Sequence, residues 1–180
     1  MKMNFRHYTE KDSEEIQSLF VSTFGNSEGE SEGAIIGKLT KDLLNKTEKN
    51  DLFVFVASSG PKIKGTIFAT RMPSEQENDI FLLAPVAVLT DSQGQGIGQS
   101  LIKYGIEELK KNNVKLLVTY GDPAFYSKVG FLPVDQSIIE PPFPLSQPEG
   151  WLAQSLNEQK TIRRVGKCSC VPAFDNPKYW

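Results

Sequence analysis

The chain has 180 residues, 39% of them hydrophobic, and its 20 basic and 22 acidic side chains leave a formal charge of −2. That length suits one domain, expected to span 1–180, with a core large enough to need neither a disulfide nor a metal. The charge balance excludes a broad polyanion-binding surface, so no nucleic-acid partner is expected. No apolar run reaches the roughly 18 residues of a membrane span.

The N-terminal run Met1-Lys2-Met3-Asn4-Phe5-Arg6-His7 has no apolar stretch behind its basic residues, so the expected location is cytoplasmic. Met3 to Tyr8 reads as a first strand, with His7 a strand residue and not a catalytic one. Thr9 with Asp12 resembles a capping box. Ile16, Leu19, Phe20 and Phe24 then recur at helical spacing and predict a helix from Glu10 to Phe24. Residues 25–33 hold three glycines, three glutamates and no apolar side chain, which reads as a loop. Ile35, Ile36, Leu39, Leu43 and Leu44 mark a second amphipathic helix. Asn45-Lys46-Thr47 matches a glycosylation sequon that is idle without export.

The period then changes. Leu52–Ala57 and Ile63–Met72 read as strands joined by a turn at Ser58–Lys62, and Ile80–Val88 is a further, highly apolar strand. Leu101, Ile102, Ile106 and Leu109 give a helix ending near Asn112-Asn113, followed by a strand at Lys115–Tyr120 and a short helix at Ala124–Val129. Asp135–Gly150 contains four prolines and reads mostly as loop, with Trp151–Leu156 and Gly166–Val171 as candidate last strands. Cys168 and Cys170 form a C-x-C whose extended geometry suits two reduced packing thiols better than a disulfide, and no metal is expected. A crossover from strand 80–88 through a helix to strand 115–120 predicts a parallel pair inside a mixed α/β (α+β) sheet flanked by helices.

The chemistry concentrates where strand 80–88 meets the next helix, in Gln93-Gly94-Gln95-Gly96-Ile97-Gly98. The first four N–H groups of a helix lack intrahelical partners, the dipole adds positive potential, and glycines remove the β-carbons that would hold an anion away. The physical reading is a phosphate or pyrophosphate pocket; the alternative is a tight turn with no ligand. A dinucleotide fingerprint fails because its third glycine position falls on Gln99, and a P-loop fails because Gly98-Gln99-Ser100 lacks the lysine.

Gln93-x-x-Gly96-x-Gly98 after an apolar strand resembles the Q/R-x-x-G-x-G/A motif of the GNAT superfamily of N-acyltransferases. Gly121 to Phe131, with Tyr126 four residues before Gly130-Phe131, is similar to a second passage of that family. The resemblance covers the order of elements from residue 3 to about 134. It implies a single GNAT-like domain with a mostly antiparallel sheet and a splayed parallel pair of central strands. It also implies acetyl-CoA or another acyl-CoA as cosubstrate and an amine as acceptor. By that analogy the N–H groups from Gln93 to Gly98, with Gln99 beside them, hold the pyrophosphate. Val86, Ala87 and Val88 would pair with the pantetheine arm, an N–H near Val86 would meet the oxyanion, and Pro85 would mark a bulge or edge rather than a strand start at Val86.

Acyl transfer needs a neutral amine, and a lysine-like amine at pH 7 is about 4.6 kcal/mol from that state. The resemblance makes Tyr126 the donor to the leaving thiolate; packing on the sheet is the plainer alternative. The strand before the turn holds no acid, so the base is open among Asp122, Asp79, Glu77 and a water relay, with Asp122 equally natural as a helix cap. Glu28, Glu30 and Glu32 could attract a cationic acceptor or be merely solvated, and Pro141–Pro148 with Phe143 and Trp151 could wall its pocket or simply pack. The competing function is a non-catalytic acyl-CoA-binding regulatory module. A monomer or a homodimer suits either.

Overall fold

The computed structural model describes residues 2–180. Strand β1 (Asn4–His7) is followed by a 3-10 turn, Glu10–Asp12, and helix α1 (Ser13–Glu28). Asp12 closes the expected capping box by accepting from the Thr9 N–H at 2.7 Å, and the Arg6 guanidinium, also at 2.7 Å, holds its carboxyl below the ordinary range. Helix α2 (Glu30–Lys46) begins after Gly29 alone. Strands β2 (Leu52–Ser59) and β3 (Lys62–Arg71) are separated by Gly60-Pro61, a link so short that only antiparallel neighbours can share it. Next come β4 (Ile80–Val88), α3 (Ile97–Lys111), β5 (Leu116–Tyr120) and the single turn α4 (Pro123–Tyr126). β6 (Leu132–Pro133), β7 (Ile139–Glu140), β8 (Trp151–Ser155) and β9 (Gly166–Lys167) complete the order.

The main sheet has the order β1-β2-β3-β4-β5-β8-β6 and is mostly antiparallel, while β7 and β9 form a separate parallel pair. β4 and β5 are parallel from Ile80↔Leu116 to Leu83↔Thr119. Pairing stops there although β4 runs on to Val88. β5 pairs antiparallel with β8, from Leu116↔Ser155 to Tyr120↔Trp151.

By compactness the chain divides into Met1–Phe68 with Pro85–Gly105, and Ala69–Ala84 with Ile106–Trp180. In the first unit the period-2 alternation of β3 serves both faces. Phe68 meets Phe20 of α1 edge-on at 5.7 Å, while Ile67 points at α3, where a β-carbon on Gly105 would stand 2.8 Å from its Cδ1. In the second unit Leu117, Val118 and Trp151 are buried, and the Trp151 indole donates to the Ile139 carbonyl at 2.9 Å.

Two expectations change, and one alternative falls away. Residues 25–33 are helical on both sides of Gly29 instead of a loop, because the contact face is built from glycine: a β-carbon on Gly33 would lie 2.7 Å from the Val21 carbonyl and 3.0 Å from the Gly25 Cα. The run Gly166–Val171 is a strand only at Gly166–Lys167, because it changes partner. Those two residues pair with β7, Cys168 bridges Ser74, and the Ser169 N–H donates to Pro73. β4 passes through Pro85 without a break, so no strand starts at Val86.

Candidate active site

β4 ends at Val88, a 3-10 turn follows at Thr90–Ser92, and α3 starts at Ile97. The junction is tied down from several sides within the first unit. The Leu89 N–H donates to the Lys64 carbonyl of β3 at 2.9 Å. The Val88 carbonyl accepts from Gln93 Nε2 at 3.0 Å and from Thr23 Oγ1 of α1 at 3.5 Å, and Asn26 Nδ2 reaches Thr90 Oγ1 at 3.2 Å. Gln93 is therefore a strut that ties the turn to the end of β4, and its own N–H is engaged with the Thr90 carbonyl at 3.4 Å.

Gly94 and Gly96 adopt φ of 75° and 77°, the left-handed region that L side chains avoid. A β-carbon on either would meet nothing within 4 Å, so the space beside this backbone is open. The first helical bond of α3 runs from the Ser100 N–H to the Gly96 carbonyl at 3.0 Å. The N–H groups of Gly94, Gln95, Gly96, Ile97, Gly98 and Gln99 ahead of it donate to no carbonyl among the described residues. Six consecutive donors at a helix N-terminus, with open space at Gly94 and Gly96, fit a polyphosphate without a basic side chain in the turn. Nearby, the Ser92 hydroxyl holds the Asp91 carboxyl below its ordinary range by donating at 2.8 Å, and the charges of Lys64 and Lys62 add to this. Two cations of β3 thus lie within electrostatic reach of Asp91, three residues ahead of Gly94.

Along β4, Pro85 and Ala87 are buried while Val86 and Val88 are half-buried. This alternation begins where pairing with β5 has ended. Pro85 offers no N–H to a ladder, so it suits the reach of the strand that no longer pairs with β5.

The second unit carries Tyr126. Asp122 Oδ1 accepts from the Ala124 N–H at 2.9 Å, and Pro123 follows it at the first helical position, so α4 is capped as its sequence suggests. The helix ends over Gly130, at φ 96°, and the Phe131 N–H returns to the Tyr126 carbonyl at 3.2 Å. Phe125 and Phe131 meet the Tyr126 ring edge-on at 5.0 and 5.6 Å. A β-carbon on Gly121 would fall 2.7 Å from Tyr126 Cε2, so the ring folds back over a position only glycine leaves clear. Burial pushes the Tyr126 phenol up to about 12, opposed by a hydrogen bond with Thr119 and helped by the charge of Asp122. The side chain is half-buried overall, its hydroxyl end being the desolvated part.

The remaining candidates lie apart from these two places. Asp79 pairs with Arg71 at 3.3 Å and Lys115 at 3.6 Å, and Glu77 pairs with Lys115 at 3.4 Å. Glu28, Glu30 and Glu32 are exposed on the helices that meet at Gly29. His7 lies edge-on to Phe55 at 4.8 Å. Trp151 is core, and Phe143 lies against Trp180 with centroids 6.5 Å apart. Cys168 and Cys170 are free thiols, each pushed by burial up to about 11, and no cluster of three His, Cys, Asp or Glu forms among the described residues. Sequence reasoning missed Thr119, the one hydroxyl in the otherwise apolar run Leu116-Leu117-Val118 ahead of Tyr120; its polarity at a buried strand position was the available signal.

Comparison with known proteins agrees with this fold. The family model described as an acetyltransferase (GNAT) domain matches residues 50–133, from β2 through the glycine turn to Tyr126 and β6. The uncharacterized N-acetyltransferase YjhQ of Escherichia coli is 31% identical over 160 residues, covering 85% of this chain and 84% of the relative. Among solved structures, GNAT N-acetyltransferase YhbS of Escherichia coli, in complex with CoA, superposes with a TM-score of 0.79 at 20% identity, over 98% of this chain and 93% of that one. A GNAT acetyltransferase of Brucella melitensis, in complex with acetyl-CoA, gives 0.72 at 22% identity, over 97% and 99%. The relationship to YjhQ over most of both chains, added to the matched domain, establishes that this chain belongs to the GNAT family of N-acetyltransferases.

Proposed function

We propose that the chain moves an acetyl group from acetyl-CoA to a primary amine of a small molecule or peptide by direct attack in a ternary complex. The observation that carries this reading is the run of six N–H groups, Gly94 to Gln99, without carbonyl partners among the described residues, with open space beside Gly94 and Gly96. They suit the pyrophosphate of CoA, and the CoA and acetyl-CoA complexes of the two structural neighbours support that choice of ligand. Acetyl-CoA supplies a thioester whose C–S bond breaks as the amine nitrogen forms its bond to the acyl carbon. Val86, Ala87 and Val88 are proposed to lie along the pantetheine arm, with a backbone N–H near Val86 toward the developing oxyanion.

Tyr126 is proposed as the hydrogen-bond donor to the departing sulfur. A phenol near 12 stays protonated at pH 7, so the donor is always loaded. Against a thiol of about 8.5, full transfer from such a phenol runs about 3.5 units uphill, roughly 4.8 kcal/mol. Tyr126 therefore acts by donating a strong hydrogen bond as charge develops on sulfur, with solvent supplying the net proton. Asp122 is the side-chain base this reading retains, with Oδ1 committed to the cap and Oδ2 left for the amine proton. A cytoplasmic location, a monomer or homodimer, and action of the whole chain as one catalytic domain complete the proposal.

A free-thiol release assay across primary amines tests it. The expected result is amine-dependent release from acetyl-CoA that falls roughly 10²-fold in kcat for Tyr126→Phe. CoA binding without release for any amine would instead indicate a binding module, and an unchanged kcat for the phenylalanine variant would remove Tyr126 from the chemistry.

A further inference from the structure

Residues 141–150, between β7 and β8, carry four prolines and form no strand, yet they are fixed at three points. Each proline holds its own φ, which stiffens the segment. Near its start the Phe143 ring lies against Trp180, with centroids 6.5 Å apart. In its middle the Tyr120 hydroxyl, at the end of β5, accepts from the Gln147 N–H at 2.7 Å and lies 3.1 Å from Ser146 Oγ. Ser146 gives its own proton to the Trp180 backbone oxygen at 2.8 Å, so the proton shared between Tyr120 and Ser146 is that of Tyr120. A directed chain thus runs from the Gln147 amide through Tyr120 and Ser146 to Trp180. That end is firm, because Trp180 is buried and its indole donates to the Phe174 carbonyl at 3.0 Å.

The third point is Gly121. Its N–H donates to the Gly150 carbonyl at 3.0 Å, and a β-carbon on Gly150 would stand 2.8 Å from the Gly121 carbonyl oxygen. Where a β-carbon on Gly121 would go lies the Tyr126 ring, with Cε2 at 2.7 Å. Gly121 therefore touches both the proline-rich segment and the Tyr126 ring. The chain leads from it through Asp122 into α4, where the Tyr126 N–H donates to the Asp122 carbonyl at 3.1 Å. We propose that Tyr120 is a positioning residue: its hydroxyl latches residues 146–150 onto the end of β5, and the latch, acting through Gly150 and Gly121, holds the Tyr126 hydroxyl in the direction that donation to the leaving sulfur requires. The inference rests on the reading of Tyr126 as the donor. No bond to the substrate is made or broken by Tyr120.

Tyr120→Phe keeps the ring, which meets Trp151 edge-on at 6.2 Å, and removes only the hydroxyl. One readout needs no acyl transfer. By residue-resolved amide exchange without ligand, the Gln147 and Gly121 amides should exchange roughly fivefold faster in Tyr120→Phe, while amides of β5 ahead of Tyr120 should not change. An unmoved Gln147 amide overturns the latch, and an unmoved Gly121 amide overturns its transmission. In turnover, Tyr120→Phe should lower kcat roughly three- to tenfold with KM for acetyl-CoA held. Ser146→Ala, which takes away the acceptor of the Tyr120 proton, should lower kcat in the same direction, and Ser146→Thr should restore it. In a Tyr126→Phe background Tyr120→Phe should lower kcat no further. An unchanged kcat in Tyr120→Phe, a KM effect alone, or an equal loss in the double variant overturns the positioning role while leaving Tyr126 as donor. A Tyr126→Phe protein with unchanged kcat overturns both, and it is recognised from that single variant. If Tyr120→Phe does not fold, Ser146→Ala, at an exposed position, carries the same comparisons.

Discussion

Gly94 and Gly96 are glycines for their backbone angles and not for lack of room, since each sits at positive φ with open space where a β-carbon would go. That space lets a ligand approach the amide row closely. Asp122 presents a two-role question at one side chain. Its cap to Ala124 contributes about 0.5–2 kcal/mol, and asparagine caps about as well as aspartate. Asp122→Ala should therefore lower the melting temperature while Asp122→Asn should not. If Oδ2 takes the amine proton, Asp122→Asn should still lower kcat; an asparagine variant with full kcat and an unshifted melting temperature hands the proton to a water relay.

At the scale of elements, the α1–α2 corner turns on close approach. A β-carbon on Gly33 collides with the Val21 carbonyl at 2.7 Å, which is backbone and cannot turn aside. On Gly37 the collision is with Val21 Cγ2 at 2.5 Å, a side chain 43% exposed and able to rotate. Gly33→Ala should lose about 1–2 kcal/mol net, overpacking outweighing the helical preference of alanine, while Gly37→Ala should be neutral or gain up to about 1 kcal/mol. Denaturant unfolding of the two variants checks the difference, and equal losses would contradict it. The same corner marks a limit of sequence reading. Apolar periodicity showed Ile16, Leu19 and Phe20 facing the sheet, but it fell silent over residues 25–33, where the packed face consists of glycine. The glycine turn was legible because strand period, glycines and helical period succeed one another within a dozen residues. The strut from Gln93 to Val88 and the Thr119 bond to Leu83 were not, because each joins a side chain to a carbonyl whose place only the fold defines.

For the molecule as a whole, near-neutral charge is compatible with a polyphosphate ligand because the donors are backbone amides. The turn proposed to hold the anion belongs to one compact unit and Tyr126 to the other. Stability should fall on the alkaline side. Burial pushes Cys168 and Cys170 up to about 11 and Tyr126 up to about 12, so the fold holds these protons where the unfolded chain releases them. Their contribution is complete below the unfolded values, about 8.5 for thiols and 10 for tyrosine, and is lost as pH rises through the folded ones. The melting temperature should therefore decline above about pH 8.5, less steeply in Cys168→Ala; identical slopes for the two proteins would contradict this.

The central claim, that the turn at Gly94–Gln99 holds the pyrophosphate of CoA, is tested most directly by melting temperature with CoA, acetyl-CoA or ATP. At about 100 times Kd a ligand adds about 2.7 kcal/mol, or roughly 5–10 °C for a domain of this size. The account predicts such a rise with both CoA forms, a smaller one in Gly96→Ala, and little with ATP. A rise with ATP and none with either CoA form would contradict it.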